Sequence, residues 1–491
     1  MTPGGPQRRL SELVARTFDL DPLITGITAD SRKVIPGYVF AALPGTTHDG
    51  RAFIDKALSQ GAAAIIAPME TPDLAPNSQA PLIRTTDPRR LYALAARAFW
   101  GAEPPVVVAV TGTNGKTSVA TFCRQIFTAL GHRSASLGTL GLQLADRDLT
   151  GPGLTTPDAE AVARMAAELF QMGVTHLAVE ASSHGLDQRR LDGLSLKAAA
   201  FTNLTQDHLD YHGTLEAYRA CKLRLFDQLL PTGGVAVLNA DSPDFARFAV
   251  TAYDRGQTLL AFGEEGEALQ LANRVLQPYG QNFDLTYRGC KYQVRLPLAG
   301  AFQAANALAA AGLCIGAGED PAKVIAALEG LKGAPGRLQR VGATKDGAET
   351  YVDYAHTPDG LKTVLEALRP HTKGRLVVVF GAGGDRDRTK RPLMGEAAAR
   401  FADCVYITDD NPRSEDPAAI RAMVKAGAPN AIEIGDRREA IATAVADLRP
   451  GDVLVVAGKG HEQGQTIGGV THPFDDVRET EIALQAREGR D

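Results

Sequence analysis

The sequence predicts an α/β protein of three domains with mainly parallel sheets covered by helices. Two observations carry that expectation. Short apolar runs alternate with longer helical patterns through almost all of the 491 residues. The runs are apolar at successive positions, as strands buried on both faces must be. The length fits roughly three domains at ~150 residues each, every one large enough to bury its own core.

In chain order, Val/Ile/Phe-rich runs predict strands at 38–42, 62–67, 106–110, 174–180, 235–239, 351–353, 376–380, 405–408 and 453–456. Patterns with a period of 3.6 predict helices at 91–100, 117–130, 158–171, 303–313, 321–328, 392–401 and 436–448. Residues 255–297 read as β-rich and antiparallel. Two Gly/Pro breaks, Gly101–Pro105 and Lys332–Gly336, punctuate the alternation. They divide the chain into a smaller N-terminal α/β domain (1–101), a central parallel-sheet domain (102–335) and a Rossmann-like α/β domain (336–491).

Composition excludes several function classes. Lys and Arg total 52 against 57 Asp and Glu, a net charge of −5; a broad nucleic-acid surface needs the opposite balance. The five cysteines are dispersed without a Cys-x-x-Cys pair. That pattern reads as reduced thiols in a cytoplasmic protein, not as a zinc site or a disulfide frame. The first ten residues are polar, and no apolar run approaches the ~20 residues that span a bilayer.

The most informative stretch is Val106-Val-Val-Ala-Val-Thr-Gly-Thr-Asn-Gly-Lys-Thr-Ser118. A buried strand runs into Gly112, Thr113, Asn114 and Gly115, and Lys116, Thr117 and Ser118 open a helix. Glycines let successive backbone N–H groups turn towards phosphate oxygens, and the helix N-terminus adds partial positive charge. Lys116 can reach the outer phosphates of ATP, and Thr117 can ligate Mg²⁺. The full phosphate-loop pattern would place Gly at position 110, where this chain has Val, so the loop is a shortened variant.

This loop resembles that of the Mur ligases and the folylpolyglutamate synthetases. Four further motifs sharpen the likeness: Glu180-Ala-Ser-Ser-His-Gly185, Thr202–Gly213, Asp353-Tyr-Ala-His356 and Asp410-Asn-Pro-Arg413, joined by Gly458-Lys-Gly-His-Glu462. Within the Mur ligase family they look like the branch that adds the third peptide residue. The resemblance implies ATP-dependent joining of meso-2,6-diaminopimelate to UDP-N-acetylmuramoyl-L-alanyl-D-glutamate in peptidoglycan synthesis. It also implies a cytoplasmic enzyme, expected as a monomer. Such chemistry converts a carboxylate into an acyl phosphate, which an amine then captures. The site must therefore gather anionic substrates and spread charge on a moving phosphoryl group.

The resemblance assigns residues. Glu180, at the carboxyl end of a strand, and His208 are implied Mg²⁺ ligands with Thr117. Lys222 corresponds to a lysine that is carbamylated in similar ligases and holds a metal; the residue alone reads as an ordinary helix lysine. Together Lys116, Glu180, His208 and Lys222 form the implied catalytic set. Asn306 is implied in adenine recognition, Arg337 in phosphate contact, and Asp353 in holding the ribose hydroxyls. His356 reads equally as a packing residue or a catalytic one. Thr155, Thr156, Ser183, Gln188 and Arg190 fall where the family holds the muramyl dipeptide. Ser31, in Asp30-Ser-Arg32, is the candidate uridine contact, although the tripeptide also reads as a simple turn before Val34.

The C-terminal domain is expected to select the amino acid. Diaminopimelate carries a distal carboxylate that lysine and ornithine lack. Arg413, in Asp410-Asn411-Pro412-Arg413, can bind it with a two-pronged hydrogen bond. Asn411 and Glu462 can address the distal ammonium, Arg386 the proximal carboxylate, and Gly458 belongs to the same set. Lysine or ornithine remains the alternative amino donor. Folylpolyglutamate synthesis is disfavoured by the extra N-terminal domain and by Asp-Asn-Pro-Arg. A nucleotide switch that forms no peptide bond would leave the motifs beyond the loop unexplained.

Overall fold

A computed structural model describes residues 5–489, apart from 46, 47, 77, 152, 206 and 278 and the side chain of Leu209. The chain forms two compact units. The first comprises Met1–Lys116, Cys123–Ala261 and Gly312–Asp320; the second comprises Thr117–Phe122, Phe262–Ala311 and Pro321–Asp491.

The first unit begins with a four-stranded parallel sheet in the order Gly26–Thr28, Tyr38–Ala41, Ala64–Pro68, Leu82–Thr85. The helix Pro88–Trp100 covers it, started by Asp87, whose carboxylate accepts from the Arg90 N–H, and by Pro88 in the first turn. Ile24, Val39, Ile66, Tyr92 and Phe99 pack between sheet and helix.

The larger sheet of this unit orders its strands Val235–Asn239, Leu196–Phe201, Val106–Thr111, His176–Glu180, Ser134–Gly138 and Gly141–Leu144. All neighbours are parallel except the last pair. Val107, Val179, Phe201, Phe226 and Phe248 belong to its core, where Phe201 and Phe248 stack with ring centroids 3.8 Å apart. Each large apolar side chain buried there contributes roughly 1.5–3 kcal/mol of transfer free energy. Register brings the chemistry together: Glu180 lies opposite Val110, and Phe201 opposite Thr111. The carboxyl ends of three strands therefore converge on the phosphate loop, the rim at which ligands of parallel sheets bind.

In the second unit, Leu269–Gln277, Gly280–Tyr287 and Cys290–Leu296 form an antiparallel ribbon, as expected for 255–297, but the end of the strand Thr258–Gly263 pairs in parallel with Leu269–Gln277, a departure from that expectation. A six-stranded sheet follows in the order Gln339–Ala343, Glu349–Asp353, Val453–Ala457, Leu376–Phe380, Cys404–Ile407, Ile432–Glu433. Only its first pair is antiparallel. The insertion of Val453–Ala457 between two earlier strands makes a topological switch point. Asp353, Gly381–Asp387, Asp410–Arg413 and Gly458–Glu462 all lie just beyond the carboxyl ends around it.

One of those ends rests on a buried ion pair. Arg437 donates to both oxygens of Asp476, each at 2.7 Å, and to the Ala457 carbonyl at 2.9 Å, with both side chains fully buried. Removing one partner strands a charge in the interior. Asp476→Ala is expected to cost about 3–5 kcal/mol, read as a lower urea midpoint, whereas Arg438→Ala, which removes a mostly exposed guanidinium from its pair with buried Glu479, should cost less, about 1 kcal/mol.

Strand and helix positions follow the sequence expectation closely, with ends shifted by a few residues. The strand expected at 174–180 begins at His176, because the Val174 N–H still bonds back to the Leu169 carbonyl in the turn that closes the preceding helix.

Candidate active site

The phosphate loop is shaped by backbone demands. Gly115 takes φ +89° at the start of the helix Lys116–Ala129, and a side chain on Gly112 would collide with the Thr202 hydroxyl. The segment after Leu196–Phe201 stitches the loop in place. Asn203 accepts from the Asn114 N–H through its side chain (3.0 Å) and from the Thr113 N–H through its carbonyl (2.9 Å), while Thr202 Oγ1 donates to the Asn114 carbonyl at 2.6 Å. Lys116 Nζ folds back onto the carbonyls of Gly112 (2.9 Å) and Thr113 (2.8 Å). Thr117 and Ser118 are buried in the first helical turn.

Lys222 enters from the helix Leu215–Arg224 and is 1% exposed. Its Nζ donates to the Gly112 carbonyl at 2.7 Å and sits 4.4 Å from the centre of the Tyr218 ring. No carboxylate lies within ion-pair distance of it among the described residues. Burial, and next the charge of Lys116, hold its amine well below the ordinary lysine range. A buried, readily deprotonated amine is the chemistry that carbamylation requires, since the neutral nitrogen is the nucleophile.

Glu180, 2% exposed, accepts at Oε1 from the Thr139 N–H (2.9 Å) and at Oε2 from the Thr139 hydroxyl (3.3 Å). Its carboxylate is thus held at the strand end beside the loop. His208 lies in the left-handed region at φ +51° and is half exposed. Its ring meets His184 edge-on at 5.0 Å and lies 6.3 Å from Tyr218. Tyr218 in turn reaches Thr113 Oγ1 at 3.3 Å, which links the histidine to the loop through a single side chain.

Of the expected dipeptide residues, Thr155, Thr156, Gln188 and Arg190 are linked by hydrogen bonds through Thr139 and Glu180. Thr155 and Thr139 hydroxyls lie 3.0 Å apart, and buried Thr156 donates to the Glu180 carbonyl at 2.8 Å. Arg190 donates to the Thr156 carbonyl (2.6 Å) and to Gln188 Oε1 (2.7 Å). Desolvation lowers the Arg190 pKa, and among the described residues no carboxylate reaches ion-pair distance, so the guanidinium is suited to an incoming anion. Ser183 is buried, its carbonyl accepting from the Cys221 thiol at 2.9 Å. Ser31 shares no hydrogen bond with this group among the described residues. Asp30 caps its short turn and pairs with Arg32 through two bonds of 2.9 Å. These contacts account for Asp30 and Arg32 as turn residues and leave Ser31 buried beneath them.

In the second unit, Asn306 lies buried on the helix Ala301–Gly316 and donates to Gln303 Oε1 at 3.1 Å. Gln303 donates onward to the Arg337 carbonyl at 3.2 Å, so the glutamine couples the adenine candidate to the phosphate candidate. Arg337 lies 4.5 Å over the Tyr354 ring, which also packs against His461 at 5.0 Å. Desolvation, then the charge of Arg337, push the His461 pKa down to about 4. Asp353 is buried and accepts from the N–H groups of Leu338 (2.6 Å) and Ala355 (2.7 Å); burial raises its pKa. His356 is exposed, with Nδ1 2.9 Å from the Tyr354 carbonyl.

Three loops of this unit lock together around Asp410–Arg413. Asn411 donates to Glu462 Oε2 at 2.9 Å, and its Oδ1 accepts from Lys459 Nζ (3.1 Å) and the Thr466 N–H (2.9 Å). Fully buried Lys459 also lies 3.4 Å from Glu462 and 3.8 Å from buried Asp410. Gly458 packs against Asp410 so closely that a methyl group there would meet its carboxylate at 2.8 Å. Arg413 takes φ +53°, exchanges backbone bonds with the strand Gly464–Ile467, and donates from Nη1 to the Gly384 carbonyl at 2.7 Å. Among the described residues no carboxylate lies within ion-pair distance of it. Pro412 is buried in the turn, and Arg386 is exposed on the neighbouring loop.

Two further residues shape this rim without a sequence-assigned role. Lys459 lies in Gly458-Lys-Gly-His-Glu462, where a lysine between two glycines is a visible signal. Arg391 gave none: fully buried, it clasps Glu415 at 2.8 and 3.0 Å and donates to the Gly383 carbonyl at 3.1 Å. Its guanidinium holds the Glu415 carboxyl down to about 2, and Glu415 accepts from the Asp385 N–H at 2.6 Å, which fixes the Gly383–Asp385 loop.

A shortened phosphate loop beside a buried lysine, with a cluster of charged side chains at the rim of a second, mainly parallel sheet, matches a known architecture. Residues 23–100 match the Mur ligase family catalytic domain, 110–314 the Mur ligase middle domain, and 336–460 the Mur ligase glutamate ligase domain. The chain belongs to the Mur ligase family, which uses ATP. It is 63% identical over 489 residues to the UDP-N-acetylmuramoyl-L-alanyl-D-glutamate–2,6-diaminopimelate ligase of Caulobacter vibrioides, covering 99% of each chain. It is 52% identical over 478 residues to the protein of that name from Mesorhizobium japonicum, covering 96% of this chain and 97% of the other. A solved structure bearing the same ligase name superposes with a TM-score of 0.74 at 35% identity, over 98% of this chain and 99% of that one.

Proposed function

We propose that this chain joins meso-2,6-diaminopimelate to the D-glutamate of UDP-N-acetylmuramoyl-L-alanyl-D-glutamate at the expense of ATP, a step of peptidoglycan synthesis. The observation that carries this reading is the charge pattern at the rim of the second unit. Lys459, Asp410 and Asn411 form a buried polar cluster with partly exposed Glu462 at its edge, and Arg413 stands beside it without a carboxylate partner among the described residues. That pattern complements an amino-acid head group, with Glu462 and Asn411 for its ammonium and Arg413 for its carboxylate. The exposed Arg386 is left for the proximal carboxylate.

The D-glutamate carboxylate attacks the terminal phosphorus of ATP, and ADP leaves. Loop N–H groups of 112–118 and Lys116 bind the phosphate oxygens and disperse their charge. Asn306, Arg337 and Asp353 hold the nucleotide. Thr155, Thr156, Ser183, Gln188 and Arg190 hold the muramyl dipeptide, with Ser31 towards the uridine. The amine of diaminopimelate then attacks the acyl carbon, and inorganic phosphate departs as the amide forms. Thr117, Glu180, His208 and carbamylated Lys222 would hold Mg²⁺, which supplies charge neutralisation on the moving phosphoryl group. Carbamylation fits Lys222 because its neutral nitrogen can bond to the carbon of CO₂ with loss of one proton, replacing a buried cation with two oxygen donors.

The reading rests on three domains at 1–101, 102–335 and 336–491, which the three family matches support. It also rests on a monomer working in the cytoplasm, where ATP is available. No helix among the described residues is long and apolar enough to cross a membrane.

Mass spectrometry of the product tests the reaction: the uridine nucleotide should gain one diaminopimelate less one water. No mass change with ATP, Mg²⁺ and both substrates present would overturn it. For Lys222, Lys222→Ala should lose at least about a hundredfold in rate, and a short-chain carboxylate should restore part of it. The depressed amine pKa sets the sign with pH. Below that pKa the amine is protonated and cannot form a carbamate, so bicarbonate should activate a CO₂-stripped enzyme less as the pH falls.

A further inference from the structure

At the amino-terminal edge of the larger sheet in the first unit, away from every group discussed above, three potential metal ligands converge. His132 follows the helix Lys116–Ala129, His176 is the first residue of the strand His176–Glu180, and Glu319 follows the helix Ala301–Gly316. Glu319 Oε1 lies 3.0 Å from His132 Nε2 and 3.1 Å from His176 Nε2. The two imidazoles stack with centroids 3.9 Å apart at an interplanar angle of 30°, so both Nε2 atoms face the same oxygen. Among the described residues this is the single group of three such donors whose ligand atoms all lie within 4.8 Å of one another.

We infer that His132, His176 and Glu319 form a binding site for a divalent transition-metal ion of the zinc type, separate from the catalytic centre. Two donors each ~2.1 Å from a tetrahedral ion lie about 3.4 Å from one another, so the 3.0 and 3.1 Å separations here need open by only a few tenths of an ångström. Two imidazoles and one carboxylate form a donor set for Zn²⁺ and its neighbours, and a poor one for Mg²⁺, which prefers oxygen. The remaining nitrogen of His176 is already oriented: Nδ1 lies 2.8 Å from Thr175 Oγ1, which itself reaches the Arg133 carbonyl at 3.3 Å. Phe127 closes one side, its centroid 4.5 Å from that of His176. His132, a third exposed, leaves a route for the ion and space for coordinating water.

The location gives the site its consequence. The strand that starts at His176 ends at Glu180, about 13 Å away at 3.3 Å per residue. The helix that ends just before His132 starts at Lys116, about 20 Å away at 1.5 Å per residue. An ion here ties together the far ends of two elements whose near ends carry catalytic groups. It acts as a clasp on the sheet and takes no part in phosphoryl transfer, and it does not depend on which amino acid the enzyme adds.

The test uses the full chain stripped with EDTA and titrated with Zn²⁺ in excess Mg²⁺, so that oxygen-rich sites stay occupied. The wild type should bind one more Zn²⁺ per chain than either His132→Ala or Glu319→Gln. Zn²⁺ should raise its Tm by roughly 3 °C, with no rise in either variant. Equal stoichiometry in all three proteins would overturn the proposal. X-ray absorption on the zinc-loaded wild type needs no variant: two imidazoles in the metal's shell support the site, and a shell of oxygens alone, or one containing sulfur, contradicts it.

Discussion

Lys116→Ala lowers the rate of ADP release at least about a thousandfold, a loss of roughly 4 kcal/mol of transition-state stabilisation, and leaves the fold intact. The expectation follows from the setting of the side chain in the loop. Its ammonium donates to the loop carbonyls of Gly112 and Thr113, at 2.9 and 2.8 Å, and water can replace those bonds. The loop itself is held by Asn203 and Thr202, which the substitution does not touch. Circular dichroism and Tm should therefore stay near the wild-type values while kcat collapses. Lys116→Arg should not rescue, because a planar guanidinium cannot occupy the position of a compact ammonium in so close a loop. Near-normal turnover in Lys116→Ala would remove the loop from the mechanism.

The second large effect falls on selectivity. Arg413→Ala should reduce kcat/KM for meso-diaminopimelate by about a hundredfold or more, and kcat/KM for lysine much less. The asymmetry arises because lysine lacks the distal carboxylate, so it has nothing to lose when the guanidinium goes. Arg413 is well placed for such discrimination. Its backbone is pinned to the strand Gly464–Ile467 and its Nη1 to the Gly384 carbonyl, which aims the rest of the guanidinium before the ligand arrives. Arg413→Lys should recover only part of the loss, since an ammonium offers no two-pronged geometry. An unchanged ratio of diaminopimelate to lysine use in Arg413→Ala would refute this basis for selection.

Much of this architecture could be read before any coordinates. Val-rich strands such as Val106–Thr111 and Leu376–Phe380 announce themselves, because residues buried on both faces leave a continuous apolar run. Other central strands do not. Leu196–Phe201 reads Leu-Lys-Ala-Ala-Ala-Phe, a composition that favours helix, yet it lies between two sheet strands and pairs in parallel with both, its alanines buried at the centre. Tertiary packing overrides propensity there. Ser134–Gly138 has no β-branched residue and is fixed by its pairing with His176–Glu180.

The site shows the same split. Lys116, Glu180 and Asp353 were legible because their motifs sit at strand ends. The chemistry of Lys222 was not, because what sets it apart is its burial against Gly112, a residue 110 positions earlier. Arg391 and the Glu319–histidine cluster were illegible for the same reason: their partners are brought together only by the fold. Ser31 is the reverse case, a residue whose local motif is largely explained by the turn it makes.

In the proposed reaction, this site forms an acyl phosphate only to have it captured by a diamino acid. ADP release measured with UDP-N-acetylmuramoyl-L-alanyl-D-glutamate, and with diaminopimelate, lysine or ornithine supplied one at a time, tests it most directly. Rapid, sustained release is predicted only when the nucleotide-linked dipeptide and diaminopimelate are both present. Release at the full rate with ATP and Mg²⁺ alone would contradict the account.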